Sequence, residues 1–203
     1  EYEARRTAGK RAHALEHPIV IDPVGVSGSS YRREKCLELM KIIHPTCIRG
    51  NYSEIQALLH NCGTVTGVDA AEDALAEAEE TDLPELMKQY AKENQMILVA
   101  SGETDLITDG SCVYQCHNGS PMMARITGSG CMSTVMLGAF LSAENSVESA
   151  VACCAFTGIV GELAAKETTA QKRGTMTFRN WFIDAVSLMT PEQLEHGTNV
   201  DWF

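Results

Sequence analysis

Three short runs of aliphatic and β-branched residues alternate with helical patterns in the first half of the sequence. The runs span residues 18–22, 46–51 and 96–102, and the segments between them are mostly amphipathic or charged. Strands that alternate with helices typically form a parallel sheet through right-handed β-α-β crossovers. With 203 residues, the chain is long enough for one compact domain of this kind. The pattern therefore predicts an α/β fold with a mainly parallel central sheet.

The remaining segments have simpler patterns, with one exception. Helices are expected over residues 2–16, 31–44, 53–60, 83–94, from about 131, 146–167 and 177–190. Ser53 is a plausible N-cap, and Pro191 is expected to stop the last helix. Two β-like runs around the Asp-Gly pair at 109–110 predict a hairpin. The acidic, alanine-rich stretch 69–82 fits either a solvated surface helix or a mobile flap.

Polar side chains follow each of the three predicted strands. Asp22 ends the first, Arg49 and Asn51 end the second with Glu54 three residues beyond, and Ser101 ends the third. Each has an ordinary explanation alone, as a turn residue, a surface ion-pair partner or an acid in the first turn of a helix. In open α/β sheets, however, ligands bind at the carboxyl ends of the strands. Their common placement therefore favours a binding site.

A Gly-Ser-Gly-Cys segment, Gly128 to Cys131, precedes a long run of small and apolar residues. The first N–H groups of a helix point outward without internal partners, so such a segment favours anions and the charge that develops in phosphoryl transfer. Cys131 at this position is a thiolate, a weak base or a small packing residue. The sequence contains no GxxxxGK[ST], so P-loop machinery is excluded.

Composition limits the classes of binding partner and indicates the cellular compartment. The formal net charge is −11, which argues against nucleic acid and anionic membranes as partners. By the sequence pattern, no apolar run reaches the roughly 18 residues that a membrane span requires. The eight cysteines form no CxxC pair and several lie in apolar runs, which favours a reducing cytoplasm.

Four segments closely resemble the hydroxyethylthiazole kinase family, which belongs to the ribokinase-like superfamily. They are "VIDPVGVSGSS", "PTCIRGNYSEI", "SGETDLITDG" and "ITGSGCM", in this order and with suitable spacing. The resemblance extends from about residue 5 to about residue 194. It implies a three-layer α/β/α ribokinase-like fold, with residues 1–203 as a single kinase domain. It also implies a homotrimer with active sites at the subunit interfaces.

The resemblance implies that ATP donates its γ-phosphate to the primary alcohol of 4-methyl-5-(2-hydroxyethyl)thiazole in thiamine biosynthesis or salvage. Arg49 matches the family's nucleotide-phosphate arginine, and Ser101 stands where the family usually has a threonine that contacts ATP. Asn51 and Glu54 match the N-x-x-E motif that organises Mg²⁺ and phosphate. Asp22 matches an acidic residue near the metal, so Asp22 and Glu54 are the expected metal residues.

The glycine-rich segment also has counterparts in the family. Gly128 matches a residue that lines the thiazole site, and Ser129 and Gly130 belong to the anion hole that ends at Cys131. Cys131 occupies the position where most sugar kinases of the superfamily carry an aspartate base. The resemblance therefore implies that Cys131 helps to position or deprotonate the substrate hydroxyl.

Two features leave alternatives open. Family chains normally begin earlier, with elements that form part of the thiazole pocket, so an N-terminal portion of the family pattern is expected to be missing here. Other ribokinase-like kinases also carry a cysteine after the glycines, so hydroxymethylpyrimidine and pyridoxal remain alternative substrates. A non-catalytic nucleotide-binding protein on the same fold is the alternative outside the enzyme class.

Overall fold

The computed structural model describes residues 2–62 and 83–203, so the acidic stretch 69–82 lies outside the described residues. The strands in the described part are β1 Val20–Ile21, β2 Cys47–Asn51, β3 Ile97–Ser101, β4 Asp105–Thr108, β5 Val113–Cys116 and β6 Val200–Trp202. The α-helices in the same described ranges are α1 Tyr2–Ala14, α2 Ser30–Ile43, α3 Tyr52–Cys62, α4 Leu83–Asn94, α5 Ser129–Ala143, α6 Val147–Ala170, α7 Thr175–Leu188 and α8 Pro191–Gly197. The strands form one mixed sheet in chain order, which confirms the predicted α/β class.

The chain divides into two compact units, and the first contains residues 1–101 and 108–113. Its strands β1, β2 and β3 are parallel neighbours, with Ile21 beside Ile48 and Asn51 beside Ser101. Ile48, Leu98 and Val99 are almost completely buried, as expected for aliphatic strands of a parallel sheet. The three apolar runs of the sequence are therefore the parallel strands that the pattern predicts.

Helix α3 begins earlier than the sequence indicates, and its first turn is closed by a different residue. The Asn51 side-chain Oδ1 accepts hydrogen bonds from Glu54 N at 2.9 Å and from Ser53 Oγ at 2.8 Å. Ser53 therefore lies inside the first turn, and the prediction that it caps the helix is wrong. Asn51 takes this role because its side chain, at the end of β2, reaches the exposed N–H groups of the helix.

The second unit contains residues 102–107 and 114–203. Its strands β5 and β6 are antiparallel, with Gln115 beside Asp201. Its core includes Ile126, Val160 and Ala164 together with Phe178 and Phe182, so α6 and α7 bury their apolar faces together. Pro191 begins α8 rather than only ending α7, because Thr190 and Gln193 form a capping box around it. Helix α8 and strand β6 are absent from the sequence-based prediction.

Helix α6 corrects the expectation about apolar length. By length and composition alone, the helix Val147–Ala170 could cross a membrane. However, 61% of an 18-residue apolar stretch within it is buried inside the fold. Twelve of the helix residues are buried, among them Ala150, Val160 and Ala164. This burial is the behaviour of a core helix.

Asn118 joins three segments of the second unit. Its side-chain Nδ2 donates to Glu162 Oε1 at 3.1 Å and to the Gly197 carbonyl at 2.9 Å, and its Oδ1 accepts from Asn199 N at 2.8 Å. Gly158 on α6 lies directly beneath it: a Cβ there would stand 2.5 Å from the Asn118 backbone. The close approach of α6 to this segment therefore requires a glycine.

We expect Gly158→Ala to destabilise the protein by about 1–3 kcal/mol, because the added methyl group overlaps backbone atoms that cannot move without disturbing the Asn118 bonds. Chemical denaturation measures this loss as a lower midpoint. Gly174→Ala is the matched control, since nothing lies within 4 Å of a Cβ at Gly174. Equal midpoints for the two variants would contradict the close contact.

Candidate functional site

Glu54, in the first turn of α3, connects the loop after β1 to the carboxyl end of β2. Its Oε1 accepts a hydrogen bond from Gly25 N at 2.8 Å, and its Oε2 accepts one from Asn51 N at 3.0 Å. Glu54 is only partly exposed. A carboxylate that accepts backbone N–H groups on both oxygens is held in one orientation and keeps further lone pairs for another ligand. Glu54 thus fixes the loop after β1 against the end of β2.

The ends of β2 and β3 bring further predicted residues together. Asn51 and Ser101 are register partners, and Arg49 stands beside Val99 two residues earlier. The Ser101 hydroxyl donates to the Gly50 carbonyl at 3.1 Å. Arg49 is half-buried on β2. One guanidinium, one amide and one hydroxyl therefore lie near the ends of two adjacent strands.

Asp22 is half-buried and follows β1 directly, where Ile21 pairs with Ile48 of β2. The structure thus places five of the predicted site residues within the first unit, at the carboxyl ends of three adjacent parallel strands. They are Asp22, Arg49, Asn51, Glu54 and Ser101. A ligand site at this edge requires such a placement, and the site itself stays a prediction.

The glycine-rich segment belongs to the second unit, at the start of α5. The helix begins at Ser129, two residues earlier than expected, with Gly128 as its N-cap in the left-handed region at φ 95°. The Ser129 hydroxyl donates to the Met123 carbonyl at 2.9 Å, so it stabilises the preceding turn. Cys131 is exposed in the first turn of the helix. The segment thus places a glycine at the helix start, as the sequence predicts, and the structure adds that Cys131 is exposed.

The cysteines differ in their exposure. Burial raises the pKa of the Cys116 thiol to about 11, which keeps it protonated at neutral pH. Cys47, Cys153 and Cys154 are also buried, and Cys36 and Cys112 are partly exposed. Among the seven cysteines whose side chains the structure describes, Cys131 is the exposed one.

Within residues 2–62 and 83–203, no group of three or more His, Cys, Asp or Glu side chains is placed to hold a metal ion. The two predicted metal residues, Asp22 and Glu54, are both carboxylates. Mg²⁺ usually binds one or two carboxylates and completes its octahedron with waters and substrate phosphates. The chemistry of these two side chains therefore fits Mg²⁺ in that mode.

Comparison with known proteins identifies the family. The model of the hydroxyethylthiazole kinase family matches residues 1–192. This chain belongs to the hydroxyethylthiazole kinase family. The match includes all four resembling segments of the sequence and every predicted site residue, so the family resemblance found in the sequence is confirmed.

Individual members of the family agree with this assignment. The chain is 35% identical over 202 residues to hydroxyethylthiazole kinase of Clostridium acetobutylicum, covering 98% of this chain and 74% of the relative. It is 36% identical over 200 residues to the Desulforudis audaxviator enzyme of the same name, covering 98% and 70%. A solved hydroxyethylthiazole kinase structure from Pyrococcus horikoshii superposes with a TM-score of 0.80 at 25% identity, covering 100% of this chain and 72% of that one.

The structure adds contacts that the sequence analysis missed. Gly25 bonds to Glu54, and Arg32 on α2 donates from Nη1 to the Val24 carbonyl at 3.2 Å. The "DPVG" motif, residues 22–25, indicates that a loop follows β1. No linear pattern, however, indicates that Arg32 from α2 and Glu54 from α3 both bind this loop.

Proposed function

We propose that this chain transfers the γ-phosphoryl group of ATP to the primary alcohol of 4-methyl-5-(2-hydroxyethyl)thiazole. The observation that carries the proposal is the family match over residues 1–192. The grouping of Asp22, Arg49 and Glu54 at the strand ends supports it, because phosphoryl transfer needs positioned charges rather than covalent help from the protein.

The residues at the strand ends supply the charges for this reaction. Arg49 is proposed to neutralise charge on the transferring phosphoryl group, and Ser101 and Asn51 to contact the nucleotide. Mg²⁺, where bound, would neutralise phosphate charge, and Asp22 and Glu54 are the carboxylates proposed to hold it, mainly through waters and phosphates. The hydrogen bonds of Glu54 to Gly25 and Asn51 orient its carboxylate before any ligand arrives.

The start of α5 is proposed to serve the acceptor side of the reaction. Gly128 would line the thiazole site, and the backbone from Ser129 to Cys131 would receive negative charge at the helix start. Cys131 would position or deprotonate the substrate hydroxyl. Its exposure agrees with this role, since a group that meets substrate must be reachable. A cytoplasmic homotrimer, with residues 1–203 in one kinase domain, completes the proposal.

The first test is ADP release with ATP, Mg²⁺ and the thiazole alcohol, against a control without alcohol. Hydroxymethylpyrimidine and pyridoxal serve as competing acceptors at the same concentration. Release that depends on the thiazole and exceeds that with the other alcohols supports the proposal. ADP release with one of the other alcohols and not with the thiazole would change the substrate assignment. ATP binding without ADP release in the presence of any of the three alcohols would favour a non-catalytic role.

Cys131 is tested by two replacements. We expect Cys131→Ala to lower kcat by roughly 10²-fold, the low end of the contribution of a general acid or base, because alanine can neither position nor deprotonate the substrate hydroxyl. Cys131→Asp should keep more turnover than the alanine variant, since a carboxylate can accept the proton of the substrate hydroxyl and a methyl group cannot. Cys112→Ala is the matched cysteine control and should keep native kcat. Native turnover in both Cys131 variants would remove Cys131 from the mechanism.

A further inference from the structure

The loop after β1 makes a tight turn whose central peptide joins Val24 to Gly25. The N–H of Val26 donates to the Pro23 carbonyl at 3.2 Å, which closes the turn. Gly25 is the third residue of the turn and has φ 75°. A positive φ at this position is typical of a type II turn, in which the central peptide is rotated by roughly half a turn from its type I orientation.

Two charged side chains hold this one peptide from opposite ends. The Val24 carbonyl accepts a hydrogen bond from Arg32 Nη1 at 3.2 Å, and the Gly25 N–H donates to Glu54 Oε1 at 2.8 Å. The cation therefore lies at the negative end of the peptide dipole and the anion at its positive end. Both bonds are charge-assisted and stronger than bonds between neutral groups.

Arg32 is placed for this contact by its own helix and by the glycine. Its backbone N–H donates to the Ser29 side chain, which caps α2, at 3.3 Å. Its guanidinium lies across Gly25, where an added Cβ would stand 3.1 Å from Arg32 Nη1. Gly25 therefore permits both the positive φ and the close approach of the arginine.

In the other orientation of the central peptide, both bonds would be lost together. The Gly25 N–H would turn away from Glu54. Of the two hydrogen bonds that orient the Glu54 carboxylate, the one from Asn51 N would remain. The Val24 carbonyl would turn away from Arg32. The position of the Glu54 carboxylate is thus coupled to Arg32 through a single peptide group, which lies two residues beyond Asp22 in the chain.

We propose that Arg32 is a positioning residue for phosphoryl transfer: by holding the Val24–Gly25 peptide, it keeps the carboxylate of Glu54 in its working orientation. The catalytic part of this statement rests on the proposed function. The coupling of Arg32 to the Gly25 amide does not, and it is measured separately.

The structural arm is the ¹⁵N–¹H spectrum of the full chain. The Gly25 nitrogen lies 2.8 Å from Glu54 Oε1, and an amide proton in so short a bond to a carboxylate resonates far downfield. We expect Arg32→Ala to shift the Gly25 signal upfield and speed its exchange with solvent. Arg32→Lys should restore part of the native shift. Arg33→Ala is the matched control, because Arg33 Nε bonds to the Val26 carbonyl, outside this peptide, at 3.1 Å. A change of the Gly25 signal in the control as large as in Arg32→Ala would overturn the proposal.

The kinetic arm uses the same three variants. We expect Arg32→Ala to lower kcat by about tenfold, the effect of losing one charge-assisted hydrogen bond, with KM for the thiazole unchanged. Arg32→Lys should recover part of the loss, and Arg33→Ala should stay near native kcat. An unchanged Gly25 signal, or native kcat in Arg32→Ala, would overturn the proposal. Absence of thiazole-dependent turnover in the native protein would instead refute the proposed function, and the amide measurement would still decide the coupling.

Discussion

Replacement of Arg49 by alanine is expected to lower kcat for the proposed phosphorylation by roughly 10²–10³-fold, because the reaction depends on neutralising charge on the transferring group. Arg49 is half-buried on β2, in register with Val99 of β3. A charge held on a rigid strand needs no rearrangement when negative charge develops. Its loss should therefore fall mainly on kcat, with a smaller effect on the KM for ATP.

Two further variants separate this charge effect from a structural one. Arg49→Lys should recover only part of the activity, because lysine keeps the charge but lacks the planar fork that binds two phosphate oxygens. Arg6→Ala removes another arginine of the first unit, which pairs with Glu3 on α1, and should keep native kcat. If Arg49→Ala has the same Tm as the native protein and also the same kcat, Arg49 has no part in phosphoryl transfer.

The strands were predictable because each carries its own signal. Residues 97–100, for example, are all aliphatic and all buried, and burial on both faces of a parallel sheet requires such runs. Residues 83–94 likewise coincide with helix α4, Leu83–Asn94. The placement of polar residues at the strand ends follows from the same alternation, since consecutive parallel strands end at one edge. The sequence alone could therefore predict that Arg49, Asn51 and Ser101 lie near the ends of two adjacent strands.

Element ends were less predictable, because neighbouring residues compete for the same backbone groups. Ser53 is as good a cap as Asn51 by residue type, and the end of β2 decides between them by placing the Asn51 oxygen over the helix start. Pro191 both ends one helix and begins another, and the capping box of Thr190 and Gln193 selects the second role. These outcomes depend on φ and ψ values that composition does not specify.

The contacts of Glu54 were beyond sequence reasoning for a different reason. Its partners are Gly25, in the loop after β1, and Asn51, the last residue of β2, and the bond to Gly25 spans 29 residues. A motif shows that a carboxylate follows a strand, but not that both its oxygens are bonded to backbone N–H groups. That distinction matters for function, because a carboxylate held on both sides can orient a ligand without moving itself.

The packing of α7 against α6 depends on two phenylalanines one helical turn apart. Phe178 and Phe182 have no exposed surface, and their ring centroids lie 6.1 Å apart at an interplanar angle of 47°. They pack with Val160 and Ala164 of α6 in the core of the second unit. A tilted aromatic pair at this separation adds stability beyond the area that each ring buries.

Phe178→Ala is therefore expected to lower the free energy of unfolding by about 3–5 kcal/mol, since it removes a fully buried ring and leaves a cavity between two helices. Urea denaturation measures the loss. Met176→Ala on the same helix is the control, because Met176 is 69% exposed and its truncation should change stability by less than about 0.5 kcal/mol. Phe182→Ala should cost a similar amount to Phe178→Ala, and the double variant less than the sum, because each single change already removes the contact between the rings. A loss below about 1 kcal/mol for Phe178→Ala would mean that α7 is not held to α6 by this pair.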